Sequence, residues 1–334
     1  MKNIKITHLI IINLLLVLII YFNFAGSFLN KKKYTFERNY KSSVLKPLED
    51  CIKVSDSTFT PTFPSDIPNT FSSKIFKNHT DFNFTFYDMS VHKISSKNFQ
   101  LKNNLFPLYI LKDSVLCVDE SAHLFVNNHG IPFKNLKVSS IKKFKDDYYI
   151  LGEYAENNYF TFGFFKLNLF LSKLTLIETI QKSKNSLFAE NALKYNGNFF
   201  GSIDGSEEII YATNKSSLLW IFKNFRLINK INTLDKTPLP NIIKKGDIFV
   251  YGRDNTYNTN MASFTYKNQL HIFSNRNTEK KKIVIDVYDL KGDYIYSYIL
   301  PKTNDETQNI LQIFTDENKI IIAFENNCFS LFTI

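Results

Sequence analysis

His123 and His129, six residues apart in AHLFVNNHG, come nearest to a metal-ligand spacing anywhere in the chain. A zinc site needs at least one more protein ligand converging from elsewhere. Isolated histidines beside a turn are usually solvated, so no metal is expected. The acidic groups Asp119-Glu120, Asp204 and Glu207-Glu208 fall at the ends of apolar runs, where carboxylates commonly cap turns, and the repeated-carboxylate spacing of a calcium loop is not present. No GxSxG elbow, HExxH pair or Gly-rich phosphate loop occurs, and with only 10 Gly in 334 residues a phosphate cradle is not expected. The sequence thus nominates no catalytic residue and no cofactor.

One stretch has the chemistry of recognition. Tyr251 to Asn258, YGRDNTYN, brings an Arg, an Asp and two Tyr into one loop of a chain whose Arg residues are confined to positions 38, 226, 253 and 276. Arg and Tyr dominate the energetics of protein interfaces. Arg253, Asp254 and Tyr257 are therefore the expected binding surface, while a solvated insertion between strands accounts for the same composition.

The elements that must position these residues are strands. From Ala262 to Pro301, four short runs alternate apolar and polar residues: Ser263 to Tyr266, Gln269 to Phe273, Ile283 to Leu290 and Tyr294 to Leu300. Lys267-Asn268 and Lys291-Gly292-Asp293 supply turns between them. A four-stranded antiparallel unit of about 40 residues is the size of one propeller blade. A shorter pattern, an apolar run, a two-residue polar turn and a second apolar run, recurs at Lys77-Asn78, Lys112-Asp113, Asp146-Asp147, Asn196-Gly197, Lys267-Asn268 and Glu317-Asn318. The separations are 35, 34, 50, 71 and 50 residues. Six units follow. The longest gap holds the hairpin-like NIIKKGDIFVYGRDN, which is either an insertion or a seventh blade. Outside the amino terminus no window sustains the i, i+3, i+4, i+7 spacing of a helix.

On these residues the chain resembles the broad TolB-like and NHL-like class of bacterial six-bladed β-propellers. The resemblance is carried by Ile285-Asp286-Val287-Tyr288-Asp289-Leu290-Lys291-Gly292-Asp293-Tyr294-Ile295, with weaker copies at Phe165 to Ile180 and Trp220 to Ile231. It implies an all-β propeller with six blades; seven blades, or a pair of β-sandwich-like domains, are the alternatives. The last unit offers only three strands, Asn309 to Thr315, Lys319 to Glu325 and Cys328 to Thr333. The missing fourth is expected from the stretch between Tyr34 and Phe59. That pairing would carry Cys51 toward Cys328.

Composition bounds the remainder. An apolar content of 44% is enough to bury a large core, and 33 Phe with 18 Tyr favour strands. The net charge of +10 rests on scattered Lys, without the clustered Arg or stacking platforms of nucleic-acid binders, so no nucleic-acid partner is expected. Three Cys make neither a disulfide framework nor a zinc site.

Leu9 to Leu29 is a run of 21 uncharged residues flanked by Lys2 and Lys5 on one side and Lys31-Lys32-Lys33 on the other. That length spans a bilayer, and Ala25-Gly26-Ser27 offers the alternative of a cleaved signal peptide. The expected organisation is an anchor over residues 1–30, a Pro-containing stalk over 31–70 and a propeller over 71–334. The body is expected outside the cytoplasm, in the periplasm or at the cell surface, or secreted if the segment is cleaved. The expected function is a membrane-anchored, non-catalytic scaffold that binds another envelope protein. A ligand- or carbohydrate-sensing propeller and a propeller hydrolase or lyase are the alternatives.

Overall fold

The computed structural model describes residues 36–53, 60–63, 70–76, 81–88, 90–111, 113–252, 258–275, 283–301, 310–316, 319–324 and 328–334. The chain divides into residues 1–37 and 38–334, and the second unit holds every strand named below. The apolar run at residues 9–29 lies outside the described residues. Among those that are described, no helix is long and apolar enough to cross a membrane.

Alternating apolar and polar residues give each strand one face for the core, and short turns fold consecutive strands against each other. Strand β1 (Lys46–Lys53) comes first in the chain and pairs last. Five four-stranded antiparallel meanders then follow in sequence order. They are β2 (Thr60–Phe63), β3 (Thr70–Phe76), β4 (Asp81–Asp88) and β5 (Lys93–Gln100); then β6 (Phe106–Ile110), β7 (Val115–Val118), β8 (Leu124–Val126) and β9 (His129–Gly130). The third, β10 (Leu136–Phe144), β11 (Asp147–Glu156), β12 (Tyr159–Asn168) and β13 (Lys173–Ser183), has the longest strands. A helix, α1 (Phe188–Lys194), leads into β14 (Gly197–Phe200), β15 (Glu208–Thr213), β16 (Leu218–Lys223) and β17 (Arg226–Asn232). A separate hairpin, β18 (Ile242–Lys245) with β19 (Ile248–Tyr251), precedes β20 (Asn260–Tyr266), β21 (Gln269–Ser274), β22 (Val284–Asp289) and β23 (Tyr294–Ile299).

The last three strands, β24 (Ile310–Asp316), β25 (Lys319–Phe324) and β26 (Cys328–Thr333), acquire their fourth member from the other end of the chain. β1 pairs antiparallel with β26, from Lys46 opposite Thr333 to Lys53 opposite Cys328. This is the donor strand that the count at the carboxyl end demanded. Cys328 is disulfide-bonded, and Cys117 keeps a buried thiol that points at the Val115 carbonyl. The Cys51 side chain lies outside the described residues.

The first strands β2, β6, β10, β14, β20 and β24 contact one another in succession, and β24 returns to β2. Every neighbouring pair of sheets shares an apolar cluster. Phe84 with Cys117, Leu116 with Ile150, Phe164 with Trp220, Ile210 with Leu270, Phe264 with Phe332, and Tyr87 with Phe329 stand for these clusters in ring order. The fold is a closed β-propeller, not two sandwich-like domains. The third–fourth junction is rich in aromatics: Phe164 meets Tyr211, Trp220 and Phe222 at centroid distances of 5.2, 5.1 and 4.8 Å. Such pairs contribute about 0.5–1.5 kcal/mol each beyond their burial. Gly163 sits at a bulge opposite Thr179, where a Cβ would overlap the Glu178 carbonyl.

Several expectations need correcting. The NIIKKGDIFVYGRDN stretch forms the two-stranded β18–β19 sheet, an insertion with too few strands for a seventh blade. Asn196-Gly197 is no hairpin turn, since it joins α1 to β14. Two turns of helix are too short to leave a periodic signal in the sequence. β2 and the first residue of β3 fall among residues 31–70, read from the sequence as an extended Pro-containing stalk.

A short strand-like entry precedes β1. Lys41 N donates to the Ser297 carbonyl and Ser297 N donates to Asn39, in parallel with β23. Arg38 Nε and Nη2 donate to the two Asp286 oxygens at 2.7 and 3.1 Å, and both side chains are 3% exposed. Ser274 and Ser297 hydroxyls complete the cluster. Removing one partner of a buried ion pair strands the other charge. Arg38→Ala is therefore expected to cost about 3–5 kcal/mol, read as a lowered denaturation midpoint, with Asp286→Asn/Arg38→Met recovering part of it.

His271, in β21, stacks on Phe264 at 4.6 Å and shares a hydrogen bond with the Tyr298 hydroxyl. Burial pushes its pKa from 6.5 down to about 3. Between those values the unfolded chain binds a proton that the folded chain refuses, so stability falls as pH drops through this window. Thermal melts from pH 7 to pH 3 should show this loss, and His271→Phe should flatten the slope.

Candidate functional site

In each meander the turns between second and third strands lie at one end, together with the connections between sheets. This end is the connector face. The turns between first and second, and between third and fourth strands, lie at the opposite turn face. Gly292 serves such a turn at φ +94°, a conformation that suits glycine.

The connector face carries the elements that belong to none of the four-stranded sheets, α1 and β18–β19. Tyr251 joins them, donating its hydroxyl to the Leu193 carbonyl at the end of α1 at 2.9 Å and lying under the Lys215 ammonium. Gly252 N donates to the Asn241 carbonyl and holds the base of the hairpin.

Beneath α1 lies a carboxylate at a core position. Glu153 is 2% exposed in an apolar stretch of β11, and across the ladder it faces Lys137 of β10. Its oxygens accept hydrogen bonds from the Ser186 hydroxyl and from Leu187 N at 2.9 Å. Leu187 caps α1 without a side-chain acceptor of its own, so Glu153 supplies the acceptor that the cap lacks, beside Glu190 in the first turn. Lys137 Nζ reaches the Ser186 oxygen at 3.4 Å and sits over the Phe188 ring at 5.8 Å.

Above this network is a cleft of about 310 Å³ lined by Glu120, Lys137, Ser186, Phe188, Glu190 and Phe249 among others. It draws on the second meander, the third, α1 and the inserted hairpin. A second hollow of about 560 Å³ adjoins the β11–β12 turn, with Tyr154, Asn157, Asn158, Tyr159 and Lys184. The first is amphipathic and acidic on balance, suited to an apolar side chain beside a cation. The Ser186 hydroxyl is already committed to Glu153, so its visible role is to tie α1 to the sheet.

The sequence-nominated residues are dispersed relative to this cleft. Arg253, Asp254 and Tyr257 lie outside the described residues, whereas their neighbours Tyr251 and Gly252 help hold the hairpin. His123 pairs with Asp119 across its own turn at 3.2 Å, and His129 is exposed on β9. Asp204 bonds the backbone of its turn and Lys267 N, Glu207 pairs with Lys145, and Glu208 with Lys223. Sequence reasoning missed Lys137, Glu153, Ser186 and Phe249. One signal was available: Glu153 interrupts the apolar run YYILGEY.

No protein-family model matches the chain, and no curated protein matches it. Similar solved structures include a DUF4221-family member from Bacteroides vulgatus, 10% identical, covering 89% of this chain and 97% of that one at a TM-score of 0.43. Selenomethionine-substituted virginiamycin B lyase from Staphylococcus aureus is 12% identical, covering 87% and 99% at a TM-score of 0.42. No residue role passes from either to this chain.

Tyr251→Phe removes one hydrogen bond without changing packing volume. It is expected to cost about 1 kcal/mol and to raise amide exchange selectively in β18–β19 and α1, with the six clusters of the ring unaffected.

Proposed function

We propose that the chain is a membrane-anchored, extracytoplasmic six-bladed propeller of the TolB-like and NHL-like kind, and that its connector face binds a segment of another envelope protein. The carrying observation is the amphipathic cleft assembled from α1 and β18–β19, elements that no sheet needs for its own completion. Its Phe188 and Phe249 rings suit an apolar side chain, and Glu120 and Glu190 suit a neighbouring cation. Six blades are supported by the five meanders together with the closing sheet, each of four strands. The Ile285 to Ile295 ending supports the class, since it spans all but the first residue of β22, the turn and the start of β23. A disulfide at Cys328 supports a location outside the cytoplasm, because such bonds persist in oxidising compartments. The 21-residue uncharged run supports the anchor.

Photo-crosslinkers placed at Phe249 and at Lys267, on opposite faces, test this reading in intact cells. A discrete adduct from position 249 that is absent from position 267, and lost on Lys137→Glu, is the expected result. Equal labelling from both positions, or none from 249, would overturn it.

A further inference from the structure

We propose that the turn face docks against an anionic lipid bilayer, with the β12–β13 tip entering the interfacial region. This rests on reading residues 9–29 as the anchor.

The tip is Leu169-Phe170-Leu171, at the end of the longest hairpin in the ring. Phe170 is 93% exposed and Leu171 65%, the two most exposed large apolar side chains among the described residues. Two of the corresponding turns are polar and short, Asn127-Asn128 after β8 and Lys291-Gly292 in the turn after β22, and where others carry an apolar residue it packs inward, Phe225 on Tyr149 and Val91 into the core. Here the turn is longer and held in shape. Asn168 accepts from Leu171 N and donates to Asp147, which also pairs with Lys166. The aromatic ring is thereby held out from a fixed loop with no protein surface beneath it.

Two further features identify the occupant. First, the turn face carries exposed Lys145, Lys173, Lys267, Lys291 and Lys319 at its margins. Glu207 pairs with Lys145 and Asp147 with Lys166, Asp204 and Asp289 accept from backbone N–H groups, and Asp146 and Asp293 are exposed in the same turns as Lys145 and Lys291. Apolar tips within a lysine margin match the headgroup region of an anionic bilayer, where rings sit at the acyl boundary and ammonium groups meet phosphates. Second, the chain enters the domain at this face. Asn39 N donates to the hydroxyl of Tyr294, the first residue of β23, and Arg38 to Lys41 then run alongside that strand away from its turn. The described chain thus reaches β23 from the side of the turn face.

The test uses the full chain reconstituted into phosphatidylcholine vesicles, with and without phosphatidylglycerol, containing brominated acyl chains. Phe170→Trp places an indole at the tip. Tyr159→Trp places one at the other end of β12, on the connector face, and native Trp220 is fully buried background. The expected result is several-fold stronger bromine quenching for Phe170→Trp than for Tyr159→Trp or the parent chain, strengthened by phosphatidylglycerol. Absence of that quenching, or equal quenching at both positions, would overturn the inference whether or not the chain resists alkaline extraction. Extraction separately reports on the anchor. Quenching of Phe170→Trp in a chain that extraction removes would sustain the docking and reject the anchor.

Discussion

The ladder between β1 and β26, from Lys46 opposite Thr333 to Lys53 opposite Cys328, is the row of hydrogen bonds on which the ring depends. Each of the other sheets is complete within its own stretch of chain. The closing sheet is not. Without β1, β26 would present a line of unpaired backbone groups, an arrangement that native proteins avoid or cover. The Ile52 side chain, packed against the cluster of Tyr87, Ile321 and Phe329, would also be lost from the junction between the closing sheet and the first meander. The Arg38–Asp286 pair lies just upstream and orients the segment that becomes β1. A closure between remote parts of the sequence is thus specified twice, by backbone pairing and by a buried ion pair between Arg38 and Asp286.

Much of this was legible before any coordinates, because strand alternation is local. Ala262 to Pro301 announced β21 to β23 within a residue at each end, and β20 from its fourth residue on. The three strands after Asn309 implied a donor near the amino terminus, since an open edge is costly wherever it occurs. What resisted reading depends on distant partners. Glu153 looks like a misplaced charge until Ser186 and the N–H of Leu187 arrive above it. Asn196-Gly197 has hairpin chemistry, yet the residues before it are FAENALK, good helix formers covered by an inserted hairpin no periodicity foretold. The hairpin β18–β19 was one of two readings of its stretch, the other being a seventh blade, but the side chains that shape the cleft come from four separate segments.

The two faces divide the work of the scaffold. Turns between adjacent strands are constrained to be short by strand register, and on the turn face most are. Connections between sheets have no such limit, and this chain has spent its extra length there, on α1 and on β18–β19. The aromatic junction of Phe164, Tyr211, Trp220 and Phe222 directly supports that side of the ring. Large, well-packed rings give the added elements a rigid floor, so a cleft built partly from an insertion can keep its shape.

The pairing of β1 with β26 also sets the order of events in biosynthesis. The strand made early must wait for one made almost three hundred residues later, and until then both the forming array and the waiting strand keep open edges. Such non-local pairing is slow, and exposed edges in the interval invite association between nascent copies. If the chain is threaded through a membrane as it is made, that interval passes on the far side, where folding factors and thiol oxidants would meet an unfinished ring. The remote pairing of β1 with β26 thus makes the wait of the first strand, as well as the stability of the finished core, a condition of folding.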